Sequence, residues 1–399
     1  MRWGDPAFSA LLAAGYMGLV TVVWALLAAS LPAWARRWRV ERSAPDDFSS
    51  PRVSVVLPVR DEAPFVTDCL TSILASDPAP LEVVVVDDGS EDETWDVVAR
   101  LAATDSRVRL VEGTEPPRGW AGKPWACQRG AGEAASDLVL FVDADVRLAP
   151  WALGEAAWRL QDEQLDLLSW VGETDFPDPW SRAVGPLVDW FLRGTVDLEA
   201  ANDRGRSEGI ARGSFLMVRH AAYDEVGGHG PARAHLLDDV ALARAFKQRA
   251  RPCGFSHAPG AYKVIQREGL AGVLSRGRRR LYESLGRSPL LAGGVVLFVL
   301  VGMVAPFALL VAGLFARVVL GWTLAGWGWL AWLFVICGLV VAFRWRIEQL
   351  DGRPGHQAWL QPLSALVFAA LLLASTFQVE TRWRGRDYLD GRARNPGPN

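Results

Sequence analysis

Cysteine is scarce in this chain. Only Cys69, Cys127, Cys253 and Cys337 occur in 399 residues. They show neither zinc-ligand spacing nor a disulfide framework, which excludes a metal-built or disulfide-built scaffold and fits a reducing cytoplasm. Lysine is scarcer still: of 42 basic residues only Lys123, Lys247 and Lys263 are lysine, an Arg-rich bias that reflects nucleotide composition. An excess of positive charge is also missing. The formal net charge is −3, so no global basic surface points to nucleic acid. The first apolar run has no basic stretch before it, and a cleaved signal peptide is therefore not expected.

What is present is apolar. With 50% hydrophobic and 22% charged residues, the chain is too apolar for an ordinary soluble protein and too charged for a pure membrane bundle. One soluble domain plus several spans is the natural reading. Residues 8–30 form an uncharged run long enough to cross a bilayer. Arg36, Arg37, Arg39 and Arg42 follow it at once, which places the next segment on the cytoplasmic side. A polar linker, 43–50, leads into the domain. Near the other end, runs at about 289–316, 318–343 and 358–379 give a carboxyl-terminal transmembrane region, 289–379. Trp322, Trp327, Trp329 and Trp332 suit an interfacial belt. The runs show no internal repeat and no ion pair, which argues against a transporter. Ahead of them, the basic segment 266–287 with Arg276, Arg278, Arg279 and Arg280 is placed to face lipid phosphates. The tail 380–399 carries Arg382, Arg384, Arg386, Arg392 and Arg394. Charge would keep it inside, whereas three spans would put it outside.

Between 51 and 265 strands and helices alternate. Residues 53–58, 81–87, 107–111, 138–142 and 165–171 read as strands, with helices at 64–75 and 123–135. Ser90 and Glu93 form a capping box opening a helix to about residue 103. This order predicts an α/β domain with a mainly parallel, right-handed wound sheet. Residues 210–218 read as a further strand and 236–250 as a helix. Residues 180–200 have helical spacing and suit either a membrane-surface helix or a core helix.

The central stretch is LVLFVDADVR, 138–147. Its apolar run is a doubly buried strand, and Asp143-Ala144-Asp145 sits at the carboxyl end, beside the crevice where such sheets bind ligands. Two hard oxygen donors there suit Mg²⁺ or Mn²⁺ carrying a phosphorylated ligand; alone they would equally be an acidic turn. The same crevice should receive Pro58-Val59-Arg60-Asp61-Glu62, Asp87-Asp88-Gly89-Ser90, Gly119-Trp120-Ala121-Gly122-Lys123 and Asp238-Asp239. Asp88 can accept a uracil imide, and Glu62 or Asp61 can accept ribose hydroxyls. Gly119 and Gly122 let backbone approach a phosphate, to which Lys123 supplies a charge. Asp239 can take a proton from an acceptor hydroxyl. Against these stand turn roles for Asp61, Asp87 and Ser90. Asp238 and Asp239 are about 100° apart on a helix, so at most one should face the cleft. His229, after Gly227-Gly228, is placed to line that cleft.

PVRDE, VDDGS, DAD and the late DD resemble, in order and spacing, the inverting glycosyltransferases of family 2, which have the GT-A fold. GWAGKPWACQRG, RGSFLMVRHAAYDEVGGH and LLDDVALARAFK are similar to the branch containing hopanoid-associated and carotenoid (diaponeurosporenoate-type) glycosyltransferases, and WRGRDY is similar to its carotenoid side. The resemblance implies a nucleotide-sugar-binding set of Pro58, Glu62, Asp88, Lys123, Asp143 and Asp238. It further implies a metal at Asp145 assisted by Asp143, and Asp239 as catalytic base. Asp238-Asp239 stands where Glu-Asp is commoner, and the QxxRW motif of processive synthases is missing, which points to single-sugar transfer. The expected protein is a multi-pass inner-membrane enzyme with a cytoplasmic catalytic domain. It would move a sugar from a nucleotide-diphosphate donor, expected to be UDP-linked, to an isoprenoid lipid such as a carotenoid or hopanoid. A polyprenyl-phosphate acceptor, or a non-enzymatic membrane protein with a nucleotide-binding domain, are the alternatives.

Overall fold

A computed structural model describes residues 6–37, 39–45, 48, 51–235, 237–266, 268–319 and 326–377, with backbone alone at 6–10, 32–37, 380–383, 386–389 and 392–393. From the amino terminus, α1 (Pro6–Arg37) precedes β1 (Val53–Val59), α2 (Ala63–Leu74), β2 (Glu82–Asp87), α3 (Thr94–Thr104), β3 (Val108–Glu112) and α4 (Gly122–Gly132). Next come β4 (Leu138–Phe141), β5 (Val146–Leu148), α5 (Ala152–Asp162), β6 (Leu167–Val171), β7 (Glu173–Asp175) and α6 (Pro179–Gly194). They are followed by α7 (Leu198–Asn202), β8 (Leu216–Arg219), α8 (His220–Val226), α9 (Asp238–Gln248), β9 (Cys253–His257), β10 (Tyr262–Ile265) and α10 (Gly269–Ser284). The run α11 (Pro289–Phe298) passes through a π-helical stretch, Val299–Val304, into α12 (Ala305–Val318), and α13 (Trp327–Leu350) and α14 (Gln361–Thr376) follow. Two compact units result: Trp38–Asp175 with Val196–Arg267 and Val379–Asn399, and Met1–Arg37 with Phe176–Thr195 and Glu268–Gln378.

The first unit is built on a seven-stranded sheet of order β3-β2-β1-β4-β8-β6-β9. The pairs β1–β2, β2–β3, β1–β4 and β6–β9 are parallel, and only β8 runs against its neighbours. This is the expected mainly parallel α/β sheet. Its central strands are Val-rich runs because both faces are covered: Val55, Leu57, Val83 and Val85 pack into one core, Val56, Val139 and Phe141 into another. A small sheet, β5-β10-β7, lies beside it. The strand expected at 210–218 begins only at Leu216. A side chain at Gly209 would strike the backbone of Arg244, and the amides of Arg212 and Gly213 are spent on the Ser169 hydroxyl and the Asp239 carboxylate. Those donors are then lost to a ladder.

The Ser90–Glu93 capping box is also absent. The Ser90 amide goes to Asp87 Oδ1 at 2.7 Å, its hydroxyl accepts the Asp61 amide at 3.1 Å, and α3 starts at Thr94, whose amide Asp92 takes at 2.9 Å. Ser90 ties two loops together instead of opening a helix.

The second unit contains four helices long and apolar enough to cross a membrane: Leu11–Leu31, Pro289–Val318, Trp327–Leu350 and Ala358–Thr376. Trp322 lies outside the described residues, as do Arg384 and Arg394; Trp329 and Trp332 stack at 6.0 Å. The helix α6 belongs to this unit and buries Val184, Leu187, Val188 and Leu192 within it. One sequence expectation fails here, because α13 holds an ion pair. Arg344 Nε donates to Glu348 Oε1 at 2.6 Å, and both are buried. The cause lies in α6. Pro186 has no N–H and crowds the preceding turn, which leaves carbonyls of that turn to be satisfied from outside. Arg344 Nη2 donates to the carbonyls of Arg182 and Ala183 at 3.2 and 2.9 Å, and Ser364 Oγ donates to Ala183 O at 2.6 Å. Arg344 Nη1 reaches Gln361 Oε1 at 3.0 Å. The charge is therefore fully partnered, a structural clamp rather than an ion path.

Candidate active site

The ends of β1 and β2 are brought side by side by the pairing of Val59 with Asp87. Pro58 lies beyond the last β4 pairing, Val56 with Phe141, where its missing N–H removes no bond to β4. The Asp88 amide donates to Val59 O at 2.9 Å, and Arg60 Nη1 donates to Asp88 O at 3.1 Å, with Asp88 Oδ2 3.9 Å away. Asp61 takes the left-handed conformation, φ 54°, and its Oδ1 accepts the Glu91 amide at 2.8 Å. It is a turn residue. Asp87 is likewise occupied by Ser90. Glu62 is buried just ahead of α2, its amide on Thr94 Oγ1 at 2.7 Å.

At the end of β4 the chain turns through Asp143-Ala144-Asp145. The Val146 amide donates to Asp143 O at 3.1 Å and the Ile265 amide to Asp145 O at 2.8 Å, which ties the turn to β10. Lys123 comes to it from the second position of α4. Gly119, at φ +87°, turns the loop before this helix, and the Ala121 amide is fixed on Arg233 O at 2.6 Å. Lys123 Nζ donates to Asp143 Oδ1 at 2.6 Å. Burial opposes the ammonium, but the carboxylates of Asp143 and Asp238 outweigh it and hold Lys123 well above its ordinary value.

The start of α9 supplies the other wall. Asp239 Oδ2 accepts the Gly213 amide at 2.9 Å and Oδ1 the Val240 amide at 2.8 Å. Gly213 stands between the two charges. A Cβ there would come to 2.9 Å from Lys123 Nζ and 3.7 Å from Asp239 Oδ2. Sequence reasoning missed this glycine, since its R-G-S setting signals no turn. Asp238 is buried too, against the expectation that one of the pair would face away. Burial, reinforced by Asp239 and Asp143 and partly offset by Lys123, pushes its carboxyl up to about 6. Asp238 lies within electrostatic reach of Lys123 and Asp143 while Asp239 is taken by the Gly213 amide, so two side chains about 100° apart are both covered.

Two buried thiols lie near these residues. Cys69 lies within electrostatic reach of Asp145, Asp143 and Glu62, and Cys127 within reach of Lys123, Asp238, Asp143 and Asp88; burial raises both thiols. The carboxylates from β1, β2, β4 and α9 thus surround one locality. His229 sits behind it, not on its surface. The residue is 1% exposed, its Nδ1 2.6 Å from the Tyr223 hydroxyl, its amide on Gln128 Oε1 at 2.7 Å, and its ring steeply inclined to that of Phe141 with centroids 5.0 Å apart. Burial, with Lys123 nearby, pushes its imidazole down to about 3. Gly228, at φ +58°, admits Gln128 so closely that a Cβ would meet Oε1 at 2.2 Å.

Among the described residues no group of three or more His, Cys, Asp or Glu side chains is arranged to hold a metal ion. Asp143 and Asp145 are two hard oxygen donors at a strand end. That donor set fits a cation whose remaining positions are filled by phosphate oxygens and water, not one caged by protein alone.

Residues 54–227 match the family model described as Glycosyl transferase family 2. The 4,4'-diaponeurosporenoate glycosyltransferase of Staphylococcus aureus (strain USA300) is 28% identical over 209 residues, 52% of this chain and 54% of that protein. The chain therefore spans about half the length of the curated relatives it matches. Among solved structures, the mannosyltransferase PcManGT from Pyrobaculum calidifontis, in complex with GDP-Man and Mn²⁺, is similar at 20% identity and a TM-score of 0.48, covering 90% of this chain and 99% of that one. S. aureus TarS is similar at 19% identity and a TM-score of 0.37, covering 56% and 38%.

Proposed function

We propose that the protein is a membrane-bound, inverting glycosyltransferase that moves one sugar from a nucleotide-diphosphate donor, UDP-linked, to an isoprenoid lipid, with the catalytic domain on the cytoplasmic side of the inner membrane. The observation that carries this reading is the pairing of Lys123 with Asp143 at the end of β4, with Asp239 across Gly213. Membrane association is supported by the four apolar helices. The isoprenoid acceptor is supported by the name of the relative, at 28% identity over about half its length.

In this reading Glu62 and Asp88, with Pro58 shaping the strand end, receive the nucleoside. Lys123 exchanges Asp143 for the diphosphate, and its charge stabilises the leaving group as the bond to the anomeric carbon lengthens. Asp145, with Asp143, would hold the Mg²⁺ or Mn²⁺ that accompanies the diphosphate, and such an ion supplies Lewis-acid stabilisation when bound. Asp238 closes the nucleotide-sugar side of the pocket. Asp239, fixed by two amides, faces the acceptor and either takes the proton of a hydroxyl or orients a nucleophile that has none.

The test is transfer by the purified full chain in detergent. Labelled UDP-glucose is supplied with carotenoid, hopanoid and undecaprenyl-phosphate acceptors, and lipid-extractable label is counted. Label in a carotenoid or hopanoid supports the reading. Label in none of the three refutes it, and label in undecaprenyl phosphate alone replaces the acceptor.

A further inference from the structure

Ser214 follows Gly213 at the point where the chain passes between Lys123 and Asp239, and it is half-buried. Its place is set from behind by three stacked rings. Phe215 lies between Trp170 and Tyr262, at centroid distances of 4.9 and 5.5 Å and interplanar angles of 12° and 13°. All three rings are buried, and close packing of this kind leaves the adjoining backbone little freedom. The ring at the end of the stack carries a hydroxyl. Tyr262 Oη donates to Trp170 O at 2.7 Å and lies 3.1 Å from Ser214 Oγ. Burial raises the Tyr262 pKa above the ordinary phenol value, and Asp143, within electrostatic reach, adds to it, so the phenol keeps its proton. That single proton is committed to the carbonyl, and Ser214 is therefore the donor in the second bond. The serine's own proton is thereby taken as well. Its oxygen keeps lone pairs and has nothing left to donate, and among the described residues no other donor reaches it.

We infer that Ser214 is a donor-specificity residue, whose Oγ, its proton turned away to Tyr262, accepts a hydrogen bond from one hydroxyl of the transferred sugar. The inference rests on the proposed function and deepens it at the sugar. In that function the leaving diphosphate meets Lys123 and the acceptor meets Asp239. Inversion needs the two on opposite faces of the anomeric carbon, so the sugar ring occupies the gap between them. Gly213 and Ser214 border that gap, since a Cβ on Gly213 would come to 2.9 Å from Lys123 Nζ and 3.7 Å from Asp239 Oδ2. The carboxylates around the gap are already engaged, Asp143 by Lys123 and Asp239 by two amides. Ser214 adds an acceptor there without adding charge. An oxygen that can only accept favours a sugar with a hydroxyl at the facing carbon and leaves a sugar with hydrogen there unbonded. A serine free to turn its proton either way would also serve a sugar group that only accepts, and would discriminate less.

The experiment uses the purified full chain in detergent, with UDP-glucose and its four monodeoxy forms, each lacking one sugar hydroxyl. The acceptor is whichever of the carotenoid, hopanoid and undecaprenyl-phosphate lipids takes label. Wild type is expected to use at least one deoxy donor about tenfold or more less well than UDP-glucose in kcat/KM, the size of one lost hydrogen bond. Ser214→Ala should lose about tenfold on UDP-glucose and use that deoxy donor as well as UDP-glucose, while the other three ratios stay as in wild type. Ser214→Thr, which keeps the hydroxyl, should restore the discrimination. A merely structural serine would lower all five donors together, and that result overturns the inference. So do four deoxy ratios left unmoved by Ser214→Ala, or an effect confined to the acceptor KM. Should wild type transfer glucose to none of the lipids, the proposed function falls first and this inference with it.

Discussion

Gly213→Ala separates what the site needs for catalysis from what the fold needs for stability. Gly213 is not among the glycines with positive φ, so alanine carries no backbone strain there. The added Cβ meets Lys123 Nζ at 2.9 Å, whereas ordinary contact begins near 3.4 Å. The ammonium must therefore retreat by about half an ångström or more. It can do so cheaply, as the end of a flexible chain, and the cost in stability should stay within about 1 kcal/mol. What it leaves is its 2.6 Å contact with Asp143 and the place from which it would meet a diphosphate. Misplacing a catalytic group by about 1 Å costs about a hundredfold in rate, so a loss of about 10- to 100-fold in kcat is expected. The assay compares UDP-sugar transfer with the thermal midpoint for wild type, Gly213→Ala and Lys123→Ala. An alanine variant that turns over at the wild-type rate would refute the placement of Lys123. One that fails to fold would refute the claim that only the ammonium has to move.

Asp145→Ala and Asp239→Asn should each lower turnover about 100- to 1,000-fold with little change in thermal midpoint, as expected for lost electrostatic contacts in a transition state; near wild-type rates would remove either residue from the site. His229 should make stability depend on pH. Folded, it stays neutral down to about 3 because burial and Lys123 oppose its charge, while the unfolded chain binds a proton below about 6.5. Stability is therefore lost as pH falls below about 6.5, by up to ~1.4 kcal/mol per unit, and His229→Gln should abolish that slope between pH 6.5 and 4.5. Asp238 works with the opposite sign in the overlapping window, so the quantity to read is the difference between variant and wild type in urea midpoints. Arg344→Leu should destabilise by about 3–5 kcal/mol, because Glu348 is left buried and unpaired, whereas Arg344→Leu with Glu348→Leu should recover part of the loss. Equal losses in the single and double variants would show that the carbonyls of Arg182 and Ala183, not the carboxylate, set the cost.

The sheet was legible because burial on both faces writes itself as uninterrupted Val-rich runs, and β1, β2, β4 and β6 fall where those runs stand. The strand at 210–218 and the capping box at Ser90 were misread for one shared reason. Side-chain hydrogen bonds competed with regular structure: Asp239 and Ser169 took the amides before β8, and Asp87 took the amide of Ser90. Such captures depend on residues far away in sequence and leave no local pattern. The carboxylates that the proposed function uses could be named from their positions at strand ends and at a helix start. The groups that hold them could not. Gly213 matters through a contact with Asp239, 26 residues away, and Gln128 through one with His229, 101 residues away, and Arg344 was invisible because its purpose is set by a proline in another helix.

The pairing of Lys123 with Asp143 also bears on how a carboxylate-rich site stays folded. Asp238 and Asp239 are both buried, and Asp143 keeps a third of its side chain exposed. An ammonium at 2.6 Å offsets part of their mutual repulsion, and Asp238 relieves more of it by holding its proton up to about pH 6. A lysine so engaged cannot serve a diphosphate at the same time and place. Under the proposed function, donor binding would therefore break one charge-assisted hydrogen bond to make another, an exchange between partners of like sign that is close to neutral in energy. Arginine, with its fixed fork and longer reach, would hold both partners at once and resist that exchange. This accounts for a lysine at residue 123 in a chain that otherwise builds its positive charge almost wholly from arginine.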